Sequence, residues 1–368
     1  MIQTELARRL GMRVPIWGFT PSPAVAAAIS RAGGMGVLGA IRYVNPDDFR
    51  EALRFMDEAC EGKPYGVDVV MPMKLAADEK VPDLQAMIPA QHRHFVDEIL
   101  ARYGVPSLAQ SEDVSAITGW MTSFAFEQVE IAMEHPIKLI ANALGPPPPE
   151  VITLARERGV LTAALAGKAS HARHHIDAGV DVVVAQGHEA GGHCGEVTTM
   201  VLCPELVDAV APRPVLAAGG IGSGRQMAAA LCLGAEGVWC GSIWLTCSEF
   251  QEEPMTERGM SRVQEKLLAA GSSDTVRSRV ISGKPARMLK TEWTQAWEEE
   301  ASPGTLPMPL QGVLVAEAEA RIRAHQVAPL MGSPVGQIVG RMNAVRPVAE
   351  VMAEMEAECR AVLGRFQR

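Results

Sequence analysis

Basic charge, paired cysteines and long apolar runs are all scarce in this sequence. Its 34 lysines and arginines are outnumbered by 43 aspartates and glutamates, which gives a formal net charge of −9. Nucleic acid and anionic membrane surfaces attract basic faces, so neither is expected as a partner. The seven cysteines contain no Cys-x-x-Cys pair, which argues against a disulfide framework. No uncharged run approaches the roughly 18 apolar residues of a membrane span, and the first residues lack the apolar core of a secretion signal. We therefore expect a cytoplasmic protein.

What the sequence does contain is an alternation of short apolar segments with helix-like segments. Continuous apolar strands belong to parallel sheets that are covered on both faces. Eight such repeats are enough to close an α/β barrel of the (β/α)8 TIM type. An open doubly wound sheet is the alternative that periodicity leaves open. The eight candidate strands lie at 14–19, 36–40, 65–71, 138–144, 160–165, 180–187, 214–220 and 237–242.

Two regions interrupt this alternation. Residues 73–135 are far too long for a βα loop, and their helix formers predict a helical insertion after strand three, or lid, at the active face. Residues 248–271 are predicted to be helical, and the amphipathic segment 346–366 predicts a helix at the C-terminal end. The sequence thus predicts a TIM barrel of 1–72 and 136–300, the insertion 73–135, and a C-terminal helical extension, 301–368, that packs on the barrel.

The last two candidate strands each end in a glycine-containing turn. Gly219-Gly220 follows the seventh strand, and Cys240-Gly241-Ser242 ends the eighth. In barrels these loops frequently bind phosphate through backbone N–H groups at a helix N-terminus. Glycines that only make tight turns are the alternative. Two matching turns at neighbouring strand ends favour a phosphate site.

The segment "AQGHEAGGHCG" follows the sixth strand and allows several interpretations. His188 and His193 lie five residues apart, whereas zinc-binding helices space their histidines by four, so we expect no metal site. Cys194 as a nucleophile would need a base or an electropositive setting. A polar loop without a role is also possible. We favour a flat loop against a planar cofactor, with one histidine directed at the substrate, because imidazole can take or give a proton near neutral pH.

This segment resembles the nitronate monooxygenase family, also called 2-nitropropane dioxygenases. "PVLAAGGIGSGRQMAAALCLGAEGVWCGS" and "PIWGFTPSPAVAAAISRAGGMGVLGA" share the resemblance, which covers roughly 14–72 and 136–290. Members are FMN-dependent TIM-barrel enzymes, related to flavin-dependent enoyl-acyl-carrier-protein reductases and quinone reductases. The resemblance implies that His193 is the catalytic histidine facing the flavin. It implies that the cofactor is bound by Gly18, Phe19, Thr20, Asp68, Gln186, Gly191, Gly192, Gly219, Gly220, Cys240, Gly241 and Ser242.

Two positions depart from the family pattern. Gly18-Phe19-Thr20 stands where the family usually has Ala-Pro-Met, and Asp68 stands where it usually has Asn. An ionised Asp only accepts hydrogen bonds, whereas Asn donates and accepts. Asp68 would therefore either accept from a flavin N–H or disfavour an anionic reduced flavin.

The expected function is an FMN-dependent oxidoreductase that oxidises nitronates with O₂. The alternative is an NAD(P)H-dependent reductase or dehydrogenase for an enoyl thioester of CoA or a carrier protein, or for a quinone. The long insertion and the basic loop 282–290, in which Lys284 or Arg287 could hold an anion, favour this alternative. A flavin-binding protein without turnover would leave His193 unexplained.

Three further expectations concern partners and residues outside these motifs. Lys168 could reach a phosphate, while His171, His174 and His175 are expected on a solvated helix face. The C-terminal amphipathic helix packs on its own barrel or on the partner of a homodimer. The substrate is expected to be a small molecule.

Overall fold

The computed structural model describes residues 2–71, 83–108, 124–251 and 254–365. Eight parallel strands close a barrel in the order β1-β2-β3-β4-β5-β6-β8-β9, in which β9 pairs with β1. This closure confirms the TIM barrel and excludes the open doubly wound sheet. The barrel strands are β1 (Ile16–Thr20), β2 (Met35–Gly39), β3 (Tyr65–Asp68), β4 (Leu139–Asn142), β5 (Leu161–Ala166), β6 (Val182–Gln186), β8 (Val215–Ala218) and β9 (Gly237–Cys240).

Helices surround the barrel and extend beyond it. They are α1 (Glu5–Arg9), α2 (Pro23–Arg31), α3 (Pro46–Ala59), α4 (Ala90–Arg102), α5 (Phe124–Met133), α6 (Pro149–Glu157), α7 (Ala169–Asp177), α8 (Thr199–Val210), α9 (Gly224–Cys232), α10 (Arg262–Ala269), α11 (Glu292–Ala296), α12 (Leu310–Ala324) and α13 (Val348–Gly364). In the described segments, no helix is both long and apolar enough to cross a bilayer.

Side chains alternate in direction along each strand, and the inward ones fill the barrel. Trp17, Val37, Leu139 and Val184 point inward and form one buried cluster. Val67, Ile140 and similar residues point outward and pack under the helices. Because successive side chains of a strand face opposite sides, this register decides which strand-end residue enters the barrel mouth.

A second sheet lies outside the barrel, and the sequence did not predict it. It is antiparallel and has the order β10 (Thr275–Ser278), β11 (Ala286–Leu289) and β7 (Gly192–His193). Its pairing partners are far apart in the chain: His193 pairs with Ala286, and Gly192 with Arg287. Strands of two to four residues carry too little periodicity to be recognised from sequence.

The predicted helix at 248–271 is wrong over most of its length. Of its described residues, only Arg262–Ala269 are helical, and this helix begins at a capping box in which Ser261 and Gln264 satisfy each other's backbone N–H groups. Pro254 and the left-handed Gly259 precede it in a turn that brings Met255 beside Ser261. These two residues interrupt helical geometry before Ser261.

The helices outside the barrel repeats pack in two places. The buried side chains of α4 share a cluster with those of α12, and the rings of Phe95 and Trp297 meet at 5.0 Å. By contrast, α5 packs beside α3 on the outside of the barrel. Of the predicted lid, 73–82 and 109–123 lie outside the described residues. The division of the chain into barrel, lid and extension stays a prediction.

The C-terminal helix α13 lies on α9. A Cβ added to Gly224, the first residue of α9, would lie 2.2 Å from the backbone oxygen of Met355. Met352, Met355 and Cys359 of α13 are buried in the same cluster as the outward side chains of β1 and β9. The amphipathic face of α13 is therefore covered by its own barrel.

Candidate active site

Phe19 forms part of the floor of the barrel mouth. It points inward from the end of β1, and its ring stacks on Trp239 at 6.4 Å between centroids. A Cβ on Gly39 would lie 3.0 Å from this ring. Gly18 points the other way, because a Cβ there would lie 2.4 Å from Ile29 Cδ1. Gly18 thus allows α2 to approach the barrel and offers the mouth only its backbone.

Two polar side chains enter the mouth without a partner. Val67 points outward, so Asp68 at the end of β3 points inward, and it is 4% exposed. Burial raises the pKa of its carboxyl to about 7. Gln186 ends β6 after the inward Val184. Neither side chain has a hydrogen bond or ion pair to any described residue. Buried polar groups are normally satisfied, so the unpartnered Asp68 indicates a ligand. The half-buried Gln186 faces the same mouth and is free to contact that ligand.

The ends of β8 and β9 leave backbone N–H groups free. Gly219 and Gly220 are both left-handed, with φ of 101° and 69°, and α9 begins directly after the N-cap residue Ser223. Among the described residues, no acceptor is recorded for the N–H of Gly220, Ile221 or Ser242. The two strand ends lie together, since a Cβ on Gly222 would lie 2.5 Å from Ile243. Donors of this kind at a helix N-terminus suit an anion.

The side chains of Cys240, Thr20 and Ser242 are occupied by the protein itself. Cys240 is buried in the outer core, and burial raises the pKa of its thiol to about 12. The Thr20 hydroxyl accepts from the N–H of Ser22 at 3.1 Å. The Ser242 hydroxyl accepts from the N–H of Gly336 at 2.9 Å. Cys240 lies in the outer core and Thr20 follows the inward-pointing Phe19, so a ligand in the mouth would meet the backbone of both residues.

His193 is held at the edge of the mouth by the second sheet. Its Nε2 lies 2.6 Å from the hydroxyl of the buried Ser282. The Ser282 hydroxyl also accepts from the N–H of Lys284 at 3.3 Å. Partial desolvation in the cleft and, secondly, the charge of Lys284 lower the pKa of His193. Both effects favour the neutral imidazole. Nothing in the sequence singled out Ser282, which lies 89 residues from its partner.

Arg287 and His188 fix the loop that carries His193. Arg287 is 4% exposed, and its guanidinium donates from Nε to the carbonyl of His188 at 3.1 Å. It also lies 2.8 Å from His188 Nε2 and donates to Thr275. His188 Nδ1 in turn meets the carbonyl of Gly195 at 3.2 Å. Arg287 is therefore committed to the loop rather than free for an anion, whereas Lys284 remains exposed.

Gly191 and Gly192 differ in what surrounds them. A Cβ on Gly191 would lie 2.7 Å from the backbone nitrogen of Gly336, so the chain at 335–336 crosses it directly. Gly192 is left-handed, with φ of 73°, and the space beside its α-carbon is open. Only Gly192 thus leaves room on this side for another group.

The remaining candidates lie apart from the mouth. His171 and His174 are exposed, as expected, but His175 is buried and its Nε2 lies 3.0 Å from the carbonyl of Leu165. A solvated position is therefore wrong for His175. The Cys194 thiol lies near the carbonyl of His188 and burial raises its pKa, so it is not an activated nucleophile. In the part of the chain that the structure describes, no group of three His, Cys, Asp or Glu side chains could hold a metal.

The closed barrel, with polar groups gathered at the carboxyl ends of its strands, defines the chain as a TIM-barrel enzyme. The sequence model of the nitronate monooxygenase family matches residues 12–358. The chain belongs to this family of flavin-dependent oxidoreductases, which confirms the resemblance drawn from its motifs.

Three relatives illustrate the range of similar proteins. A protein of Mycobacterium tuberculosis that carries the name of a monooxygenase is 48% identical over 100% of this chain and 99% of its own. A dehydrogenase of the same organism, named for an octahydro-indene carboxyl-CoA, is 36% identical over 47% of each chain. The solved nitroalkane oxidase of Streptomyces ansochromogenes has a TM-score of 0.79 at 24% identity, and the alignment covers 98% of this chain and 100% of that one. This last likeness concerns the fold alone.

Proposed function

We propose that this enzyme is an FMN-dependent oxidoreductase that oxidises nitronates with O₂. The observation that carries the proposal is the pair of unpartnered polar side chains in the mouth, Asp68 and Gln186, together with the free N–H groups at the ends of β8 and β9. A phosphate would accept from the free N–H groups at the ends of β8 and β9. A polar planar ring would form hydrogen bonds with Asp68 and Gln186. FMN combines these two features in one molecule.

The residues of the mouth fit such a cofactor. The N–H groups of Gly220, Ile221 and Ser242 would donate hydrogen bonds to the phosphate. Gln186 can donate and accept at a ring edge, while Asp68 donates when protonated and only accepts when ionised. The bound flavin would supply the two-electron redox chemistry, and the protein supplies position and charge.

The surroundings of His193 fit an anionic substrate such as a nitronate. The exposed Lys284 adds positive charge near the imidazole, as its effect on the pKa of His193 shows. The Ser282 hydroxyl can donate to His193 Nε2 or accept from it, so it can hold the ring in either tautomer. His193 can therefore hydrogen-bond a substrate oxygen or exchange a proton with the substrate.

A second candidate function is an NAD(P)H-dependent reductase or dehydrogenase for an enoyl thioester or a quinone. The likeness to the carboxyl-CoA dehydrogenase favours it, because that relative is named for a thioester. The same mouth and the same His193 would serve either reaction. The two candidates differ in the oxidant and in the size of the substrate.

The test begins with the visible spectrum of the purified protein and the identity of any flavin released from it. Under anaerobic conditions the protein is then mixed with a nitronate, with NADH or NADPH, or with an enoyl-CoA. Loss of flavin absorbance with the nitronate alone, followed by O₂ consumption on aeration, is the expected result. Loss only with a nicotinamide nucleotide indicates the second function. A protein that neither contains nor binds FMN refutes the cofactor.

The role of His193 is tested separately. His193→Ala is expected to lower turnover by about 10²–10⁴-fold, the usual contribution of general acid–base catalysis. Flavin content should stay unchanged. His174→Ala is the matched control, because this exposed histidine lies on α7 away from the mouth. If the two variants turn over alike, His193 is not catalytic.

A further inference from the structure

A second cavity, of about 630 Å³, lies outside the barrel mouth. It is bounded by α10, β11, α12 and the segment 330–334, and it shares no lining residue with the mouth. Its wall is mainly apolar and includes Met288, Leu289, Trp293 and Leu330. This volume is in the range of pockets that hold small organic ligands.

Three arginines line this cavity without partners. Arg42, Arg262 and Arg323 are all exposed, and none of their guanidiniums has a hydrogen bond or ion pair among the described residues. Some other exposed arginines, such as Arg102 and Arg225, are paired with carboxylates, whereas Arg54 of α3 is also unpaired within the described part of the chain. What distinguishes the three is that they line one cavity. Among the described lining residues the one acidic side chain is Glu319, and the charge of Arg323 acts on its carboxyl. In a chain of net charge −9, this is a local concentration of unpaired positive charge.

The cavity also lies close to the reaction centre. Ile281 lines it and precedes Ser282, whose hydroxyl contacts His193. Met288, another lining residue, is two positions along β11 from Ala286, the pairing partner of His193. Two residues of a strand span about 7 Å. An extended ligand can thus occupy the cavity with one end and approach His193 with the other.

We propose that this cavity binds a phosphorylated adenine nucleotide, with its phosphates at Arg42, Arg262 and Arg323 and its base on the apolar wall. Guanidinium groups recognise phosphate oxygens bidentately, and a purine covers apolar surface. Coenzyme A and NADPH both carry an adenosine with a phosphomonoester and a pyrophosphate, so either source presents this chemistry. A nitronate is too small to need the cavity, so this inference rests on the second candidate function, in which the enzyme uses NAD(P)H or a thioester. The proposal does not depend on FMN, because no residue of the mouth takes part.

The test measures binding of two adenosine bisphosphates to the full-length protein by calorimetry. One is the isomer found within coenzyme A, and the other is the isomer found within NADPH. Saturable binding of either supports the site, and the tighter isomer identifies the source. The double variant Arg262→Gln/Arg323→Gln should bind about tenfold more weakly or worse, since charge-assisted hydrogen bonds are lost. Arg54→Gln, an exposed arginine of α3 outside the cavity, is the matched control.

A further variant is expected to strengthen nucleotide binding rather than weaken it. Glu319→Gln removes the acidic group from the cavity and should tighten binding of the same nucleotide by several-fold. No saturable binding, or binding that the arginine and glutamate replacements leave unchanged, overturns the proposal. Flavin content is read in the same samples and should be equal in all variants, so a failure of the cavity and a failure of the FMN site are distinguishable.

Discussion

Asp68 is a carboxyl group that the folded chain buries without giving it a partner. Burial disfavours its charged form and raises its pKa to about 7, from about 3.9 in an unfolded chain. The folded protein therefore binds more protons than the unfolded one between these values. Its stability should fall as the pH rises from about 4 to about 7.

Asp68→Asn removes this cost and most of the pH dependence that Asp68 causes. Above pH 7 the free energy of unfolding of the flavin-free protein should rise by at most about 4 kcal/mol, which corresponds to a pKa difference of roughly three units. Urea unfolding at pH 5 and pH 8.5 measures it. Asp57→Asn is the control that should lower stability, because it disturbs a carboxylate that accepts from the Tyr65 hydroxyl and contacts His135 at 2.6 Å. Equal effects of the two replacements would contradict this account of Asp68.

Lys284 should shift the pH dependence of the reaction. Its charge contributes to the lowered pKa of His193, so Lys284→Met should raise that pKa. A reaction that needs neutral imidazole is lost as the pH falls through this pKa, and the acidic limb of the kcat/KM profile should move to higher pH. We expect a shift of less than about one unit, because Lys284 is exposed and screened. Lys290→Met, also exposed, should leave the profile in place; a shift to lower pH would refute the effect.

At the scale of elements, the small sheet β10–β11–β7 decides where His193 stands. Its strands pair segments nearly a hundred residues apart, and Arg287 joins the sheet to the His188 carbonyl and ring. Ser282, which contacts His193, lies in the segment that joins β10 to β11. The position of His193 is thus set by an element outside the barrel.

Arg287→Met tests this arrangement. It keeps the buried stem but leaves the His188 carbonyl and ring without their donor, which should cost about 1–3 kcal/mol and lower turnover. Arg287→Lys should not restore either property, because a single ammonium cannot reproduce the fork of donors. Unfolding and kcat are measured for both variants. A lysine variant that behaves like the parent would show that charge alone suffices.

Gly191 and Gly192 form a second comparison at this scale. Gly191→Ala would place a Cβ 2.7 Å from the Gly336 nitrogen, so the crossing chain must move. Gly192→Ala meets no atom within 4 Å and carries only the strain of a left-handed residue, about 1 kcal/mol. We expect Gly191→Ala to lower the melting temperature clearly more than Gly192→Ala. The reverse order would show that the two segments do not cross as described.

At the scale of the whole molecule, the C-terminal helix is part of the barrel's outer core. Met355→Ala should cost about 2–5 kcal/mol, because the side chain is 2% exposed and its loss leaves a cavity against α9. Met200→Ala should change stability by less than about 0.5 kcal/mol, because Met200 is 66% exposed. Thermal unfolding compares them. Similar melting temperatures would show that α13 is not required by the barrel.

The eight barrel strands were predictable because their apolar runs are continuous. Parallel strands are covered on both faces, so each appears as a block such as "VDVVVAQG", and each predicted block overlaps an observed strand. The glycine turn after β8 was predictable for a related reason, since the left-handed residues at this strand end demand glycine. The helix predicted at 248–271 was wrong because Pro254 and Gly259 overrule its helix formers.

The sequence by itself determined the eight strands of the barrel and the family of the chain, because local periodicity and short motifs encode them. Only the tertiary structure decided that Gly18 and Cys240 face away from the mouth, that Arg287 serves the loop, and that Ser282 holds His193. It also brought Arg42, Arg262 and Arg323 to one cavity from three distant segments. Each of these facts depends on the direction of a side chain or on a contact between remote parts of the chain. Such contacts are set by the closing of the barrel and the packing around it, which no local pattern records.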